Sequence, residues 1–472
     1  MNLKPAINHR PTKLIWHAAL FALAVLVAPA LLADEANSTP ARPSPDWLRS
    51  GAIYEIFPRD FSAAGNLAGV TARLDDLRQL GVNILWVMPI HPIGEKGRKG
   101  ELGSPYSIRD YYAVDPHYGT LADFQQLVTG AHQRGMKVIM DLVANHTAWD
   151  SVMMTNKDFY TQDSAGNVIP PMPGWTDVAA LNYHNPALRA YMITMMKYWI
   201  KEADVDGFRC DVAWNVPVDF WEQSRAALTA VKPDIMMLAE ERTTDPEFLT
   251  NAFDLDYSFP LMSTLNQVLL HNAPARDLRK CWEEEYREFP KGALHMRVSD
   301  DHDESRAVAR YGLNGALAAS ALMFTLDGVP LLYNGMEVGD ATESGDPALF
   351  AKLDIFWQPK DRLPLPQIYH DLIKLRKEQS ALTNDRVIWL PNDQDSQVVS
   401  FMRLNDSDEF VVVINFSNRP VTGSLKVLNA AEFKPVEIAG LPDGPAGDLP
   451  RFQLDGFGWR IYHRAVSVIS SK

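Results

Sequence analysis

From Ile53 onward, short apolar runs of strand length alternate with stretches whose apolar residues recur at helical spacing. Ile53 to Phe57 reads as a first strand. Leu67, Val70, Leu74, Leu77 and Leu80 then mark one face of a helix that stops at Gly81. Asn83 to Pro89 is a second strand. Thr120-Leu121-Ala122-Asp123 opens the next helix as a capping box, with Asp where Glu is commoner. Lys137 to Val143 is a third strand, and about 37 residues of weak periodicity follow it, 147–183. Asn185-Pro186 supplies an N-cap and a first-turn proline to a helix faced by Leu188, Met192, Met195, Met196 and Trp199. The run Val205 to Trp214 predicts a fourth strand, 234–239 a fifth, 253–259 a sixth, 294–299 a seventh and 328–333 an eighth. Helices are expected over 220–231, 313–326 and 367–379.

Alternating strands and helices imply right-handed crossovers and a parallel sheet. Eight units over residues 47–382 predict an α/β fold, a closed (β/α)₈ TIM barrel with a short insertion after strand three at about 147–183. A doubly wound open sheet is the alternative, weakened because no glycine-rich loop follows the first strand. After Thr383 the texture changes to short alternating runs, 398–404, 410–416 and 459–463, separated by turn residues. These predict a C-terminal antiparallel β domain over 385–466, built as a β-sandwich.

Charge and cysteine content narrow the function. A net charge of −14 over 472 residues argues against nucleic acid or an anionic membrane as partner. Residues 1–33 read as a secretory signal peptide. Lys4, Arg10 and Lys13 precede an apolar run, which small residues close at Ala28-Pro29-Ala30 and Ala33. The chain is accordingly expected to be secreted or periplasmic, with no membrane partner once the leader is removed. The other reading of the run is a retained anchor, since it is close to spanning length. Residues 34–46 are a linker. Cys210 and Cys281 are the two cysteines. Cys210 alternates with Arg209 and Asp211, so it points off their face, and a bridge between the two cysteines stays open.

In a parallel barrel, chemistry sits at the C-terminal ends of the strands. Strand three ends in Asp141…Asn145-His146, strand four in Arg209…Asp211, strand five in Glu240-Glu241 and strand seven in Asp300-Asp301-His302-Asp303. Gathering so many like charges at one rim is costly without a purpose. Paired carboxylates run acid–base and nucleophilic chemistry together, as glycoside hydrolysis requires. No phosphate loop accompanies them, which disfavours phosphoryl transfer. On residue types alone, His146, His302 and the acids leave metal-assisted hydrolysis open.

The ordered motifs Asp141-Leu-Val-Ala-Asn145-His146, Gly207-Phe-Arg209-Cys-Asp211, Leu238-Ala-Glu240 and His302-Asp303 resemble glycoside hydrolase family 13, the α-amylase family. Weaker likenesses agree at 81–89, at Ser104 to Tyr111 and at Leu181-Asn182. The resemblance implies a retaining α-glucan hydrolase on α-1,4-linked oligosaccharides. Asp211 would be the nucleophile, held ionised by Arg209, Glu240 the general acid/base with Glu241 its rival, and Asp303 the transition-state carboxylate. Tyr106, His146, Arg209 and His302 would form the substrate-binding set, with Trp214, a departure from the family, joining it as an acceptor-side stacking platform or else packing as core, and Asp141 would support Arg209. No cofactor is required. Calcium would have only Asn145 as a family-matched ligand, with Asp158, Asp163 and Asp177 as candidate partners. Trp214-Asn215 stands where the family often has Lys-His, and Asp301 where it often has Asn. These departures leave a transglycosylase or glucan isomerase on the same scaffold as the nearest rival. A non-catalytic sugar-binding relative would be expected to lose one of the three carboxylates.

Overall fold

The structure is a computed structural model that describes residues 39–241, 245–358, 364–439 and 447–466. The leader, and the linker up to residue 38, lie outside the described residues. Eight parallel strands close into a barrel: β1 (Ile53–Ile56), β2 (Ile84–Val87), β3 (Lys137–Val143), β6 (Gly207–Asp211), β7 (Met236–Ala239), β8 (Leu255–Tyr257), β9 (His295–Arg297) and β10 (Val329–Tyr333). Between β3 and β6, the insertion carries the antiparallel pair β4 (His146–Ala148) and β5 (Val178–Ala180).

Alternation along the strands sorts side chains into two cores. Ile53, Ile84, Trp86, Ile139, Leu238 and Tyr257 fill the barrel interior, whereas Tyr54, Leu85, Met140, Phe208 and Met237 face the surrounding helices. Cys210 follows the second parity and is buried on the helix side. It and Cys281 are both free thiols.

The local signals act as their chemistry predicts. The Thr120 hydroxyl accepts from the Asp123 N–H, and the Asp123 carboxylate accepts in return from the Thr120 N–H. Asn185 caps the helix Pro186–Ala203. Three expectations need correction. The helix expected over 67–80 is two short ones, Leu67–Thr71 and Leu74–Leu80, because Arg73 leaves helical backbone and lays its guanidinium 3.6 Å from the Trp357 ring centroid. The fourth barrel strand ends at Asp211, since Val212 takes a left-handed conformation, φ 47° and ψ 43°. The sixth strand is only Leu255–Tyr257, and two unpredicted helices follow, Phe259–His271 and Arg276–Glu288.

The C-terminal residues form a five-stranded antiparallel sheet, ordered β11 (Val387–Trp389), β12 (Val398–Leu404), β13 (Asp408–Asn415), β17 (Trp459–Ala465), β15 (Lys434–Pro435). A two-stranded sheet, β14 (Val421–Ser424) with β16 (Arg451–Leu454), accompanies it. Val398, Val411 and Val413 of the larger sheet pack with Val421, Phe452 and Leu454 of the smaller. The opposite face, Phe401, Val412, Ile414 and Ile461, belongs to the same core as the barrel's helices.

Candidate active site

Register places the chemistry. Asp141 of β3 lies opposite Arg209 of β6, Val143 opposite Asp211, and Cys210 opposite Ala239, one residue before Glu240. Arg209 is fully buried. Its Nη1 donates to Asp141 Oδ1 at 3.1 Å and to Asp211 Oδ1 at 3.0 Å, its Nη2 pairs with Glu240 Oε2 at 3.0 Å, and its Nε donates to the Tyr257 hydroxyl at 3.2 Å. One planar fork thus fixes three carboxylates from adjacent strands. Arg209, expected in the substrate-binding set, is bonded here to the acids themselves. Arg209 acts on Asp211 in the expected direction, favouring its ionised form. Burial pushes Asp211 well above the usual carboxylate range; Arg209 opposes this, while Glu240, Asp141 and Asp303 add to it.

The turn after β6 is shaped for the next acid. Left-handed backbone is a strained state for a β-branched residue. At Val212 it lets the N–H donate to Glu240 Oε2 at 2.8 Å, and Ala213 N–H donates to the Glu240 carbonyl at 3.1 Å. Arg209 and Val212 therefore engage Glu240.

A second chain of bonds closes the floor. His302 is buried, and its Nδ1 lies 2.5 Å from Glu55 Oε1 and its Nε2 2.8 Å from the Tyr106 hydroxyl. Burial disfavours the imidazolium, yet Asp303 and Glu55 outweigh it and push His302 up to about 10. Both ring nitrogens then donate, and the Tyr106 O–H passes on to Asp141 Oδ2 at 3.1 Å, which also accepts from Trp86 Nε1 at 3.1 Å. Tyr106 stacks on His302 with ring centroids 5.4 Å apart. Asp303 extends from this floor with a 41% exposed side chain, its Oδ1 3.4 Å from His302 Nε2. His146 starts β4; burial lowers it to about 4, so it is a neutral ring. Trp214 sits half-buried in the turn Ala213–Asn215, and its indole N–H is buried with no hydrogen-bond partner among the described residues.

Glu55, Trp86, Tyr257 and Trp175 were not among the residues singled out from the sequence. A lone Glu in the apolar run of β1 was a readable signal for Glu55. Trp175 gave none, being an insertion residue whose ring lies edge-on to His146, centroids 5.6 Å apart. Three of the candidate calcium donors, Asn145, Asp163 and Asp177, already have protein partners. The Asn145 carbonyl oxygen accepts from Asn215, and its amide lies 3.2 Å from His146 Nδ1. Asp177 pairs with Lys99 at 2.9 Å, and Asp163 serves its own turn with Asn167. Among the described residues, no three His, Cys, Asp or Glu gather around a common point.

The family model for the α-amylase catalytic domain matches residues 55–348, which include every carboxylate just described. The chain belongs to the α-amylase family. Among α-amylase relatives, it is 30% identical over 399 residues to the α-amylase MalA of Haloarcula japonica, covering 81% of this chain and 58% of that protein. It is therefore shorter in reach than that relative. Crystal structures of an α-amylase from Lactobacillus plantarum (TM-score 0.78, 29% identity, 88% of this chain and 99% of that one) and of a maltogenic α-amylase, AmyB, from Thermotoga neapolitana (TM-score 0.77, 30% identity, 89% and 100%) share the architecture.

Proposed function

We propose that this chain is a retaining α-glucan hydrolase that cleaves α-1,4 bonds in maltooligosaccharides. Asp211 attacks the anomeric carbon while Glu240 gives its proton to the departing glycosidic oxygen. Glu240 then takes a proton from water, which attacks the same carbon and releases Asp211. Asp303, the most open of the three, faces the charge that develops on the sugar. His146, Tyr106 and His302 line the cleaved subsite. The observation that carries this reading is the single guanidinium whose two terminal nitrogens hold Asp211 and Glu240, each at 3.0 Å. Carboxyl groups so held stand close together, as a covalent intermediate requires and as an intervening water does not. The relatives named as α-amylases and a maltogenic α-amylase support the substrate class.

The test is the anomer of the first product from a maltooligosaccharide, followed by NMR. The α form is expected, and first-formed β product overturns the reading. Asp211→Asn should lose about 10⁴-fold or more in rate while remaining folded. Transfer to a sugar acceptor is the second reading, favoured by the half-buried Trp214 in the turn that follows Asp211. We also propose export by the basic and apolar leader. Among the described residues, no helix is long and apolar enough to cross a membrane. N-terminal sequencing of the protein recovered from its host decides whether the leader is removed.

A further inference from the structure

The last part of the insertion is pinned on both sides of Trp175. Lys99, from the loop after β2, donates to the Gly174 carbonyl at 3.2 Å and pairs with Asp177 at 2.9 Å. Trp149 Nε1 donates to the Thr176 carbonyl at 2.9 Å, and the Ser107 hydroxyl donates to the Asp177 carbonyl at 3.2 Å. Ser107 directly follows Tyr106, so this segment is tied to the floor of the site. Between these bonds, the Trp175 side chain is left out of the packing. Trp149 packs against the main core, whereas the Trp175 ring belongs to none of the apolar cores of the described residues. It is half-buried, and the ring it meets is that of His146, centroids 5.6 Å apart and planes at 72°. Its indole N–H has no acceptor among the described residues and, unlike that of Trp214, is not buried. His146 in turn lies close enough to Glu240 to feel its charge.

We infer that Trp175 is a specificity-determining residue, the platform on which the sugar adjoining the cleaved one stacks. The inference rests on the proposed function, which seats the cleaved sugar against His146. In a glucan chain the next ring follows at contact distance, and Trp175 is the aromatic surface standing beside His146. An indole held this way offers apolar area with a donor at its rim. A pyranose offers the complement, apolar C–H faces rimmed by hydroxyls. The bonds through Lys99, Trp149 and Ser107 order the segment before substrate arrives, which lowers the entropy lost on binding.

Two variants and two readouts test it. Trp175→Leu keeps apolar bulk without an aromatic face, and Trp175→Phe keeps the face. On maltohexaose, Trp175→Leu should raise KM about tenfold, the size of one lost stack, with kcat little changed, and Trp175→Phe should recover most of the loss. The spread of first products should also shift in Trp175→Leu, because the stacked ring helps choose which bond lies over Asp211. A fall in kcat with KM unchanged, an unchanged spread of products, or a Phe variant as weak as the Leu variant overturns the inference. A marked drop in the melting temperature of Trp175→Leu overturns it too, since the ring would then be packing. The second readout needs no turnover. Calorimetry on protein carrying Asp211→Asn should show maltohexaose binding that weakens about tenfold when Trp175→Leu is added. Equal binding to both proteins, or binding to neither, overturns the inference. Binding that depends on Trp175, with no glucan cleavage by the wild type, overturns instead the proposed hydrolysis and leaves the platform established.

Discussion

Arg209 carries one positive charge into a layer where Asp141, Asp211 and Glu240 all lie within 3.1 Å of it. A buried charge cluster is tolerated only when its members satisfy one another, and removing one partner strands the rest. Asp141 and Asp211, both raised by burial and sharing Arg209, therefore titrate as a pair, and the acid limb of activity belongs to that pair rather than to Asp211 alone. Trp214 can be treated singly, because it stands outside this network. Its ring is half-buried, so the part left open can stack on a pyranose. Trp214→Ala should lower the ratio of transfer to hydrolysis at high maltooligosaccharide concentration, with melting little changed. A loss of about 3–5 kcal/mol in stability, with the ratio unchanged, would mark the ring as core instead. The residues of this site were legible where chain order puts chemistry at a strand end: Asp211, Glu240, His302 and Asp303 were readable in this way. Arg209 was legible as the partner of Asp211, but its bond to Glu240 depends on strand register, which the sequence does not show.

At the scale of elements, Asp206 shows how strand ends are pinned away from the chemistry. It precedes β6, its side chain is 1% exposed, and it meets His132 at 2.6 Å, Lys137 at 3.0 Å and Lys232 at 2.9 Å, while also accepting from the Val138 N–H at 2.9 Å. Those partners tie β3, β6 and two flanking helix ends into one corner. Burial alone would raise Asp206, but the hydrogen bonds and cations prevail and hold it far below the usual range. A depressed carboxylate contributes stability that is present above its unfolded value, near 4, and lost as pH falls from there. Asp206→Asn should cost about 2–4 kcal/mol near neutrality, toward the lower end because the cations can turn to water. The gap between wild type and variant in urea unfolding should close between about pH 4 and 2; a gap constant with pH would assign the loss to packing. The same scale explains which elements sequence hid. Arg276–Glu288 buries Leu278, Cys281, Trp282 and Glu285 at helical spacing, a narrow stripe set among mostly charged residues and therefore easily passed over. Phe259–His271 opens on a proline right after β8, and the strand signal ran across that boundary. Strand β15 is two exposed residues, too short to carry alternation.

At the scale of the whole molecule, the C-terminal sheet is part of the barrel's own core. Phe401, Val412, Ile414, Trp459 and Ile461 are at most 2% exposed and share one cluster with Leu322, Phe324, Leu372 and Ile373 from the helices Ala307–Thr325 and Leu365–Glu378. Arg403 crosses the seam fully buried, donating to the Thr325 carbonyl at 2.7 Å and to the Asn384 carbonyl at 2.5 Å. Junctions between domains are commonly small and polar enough to let each part fold alone. An apolar, carbonyl-bonded seam of this kind does not, because separating its halves returns fully buried side chains to water at roughly 1.5–3 kcal/mol apiece. The full chain should accordingly unfold in one cooperative transition, with calorimetric and van't Hoff enthalpies equal. A chain ending at residue 384 should fail to give soluble, folded barrel, although it keeps every residue of the candidate site. Recovery of a folded, active truncated chain, or two resolved transitions in the full one, would show that the sheet merely decorates the barrel. The expected outcome makes the C-terminal sheet a condition of catalysis by way of stability, without a single residue in the cleft.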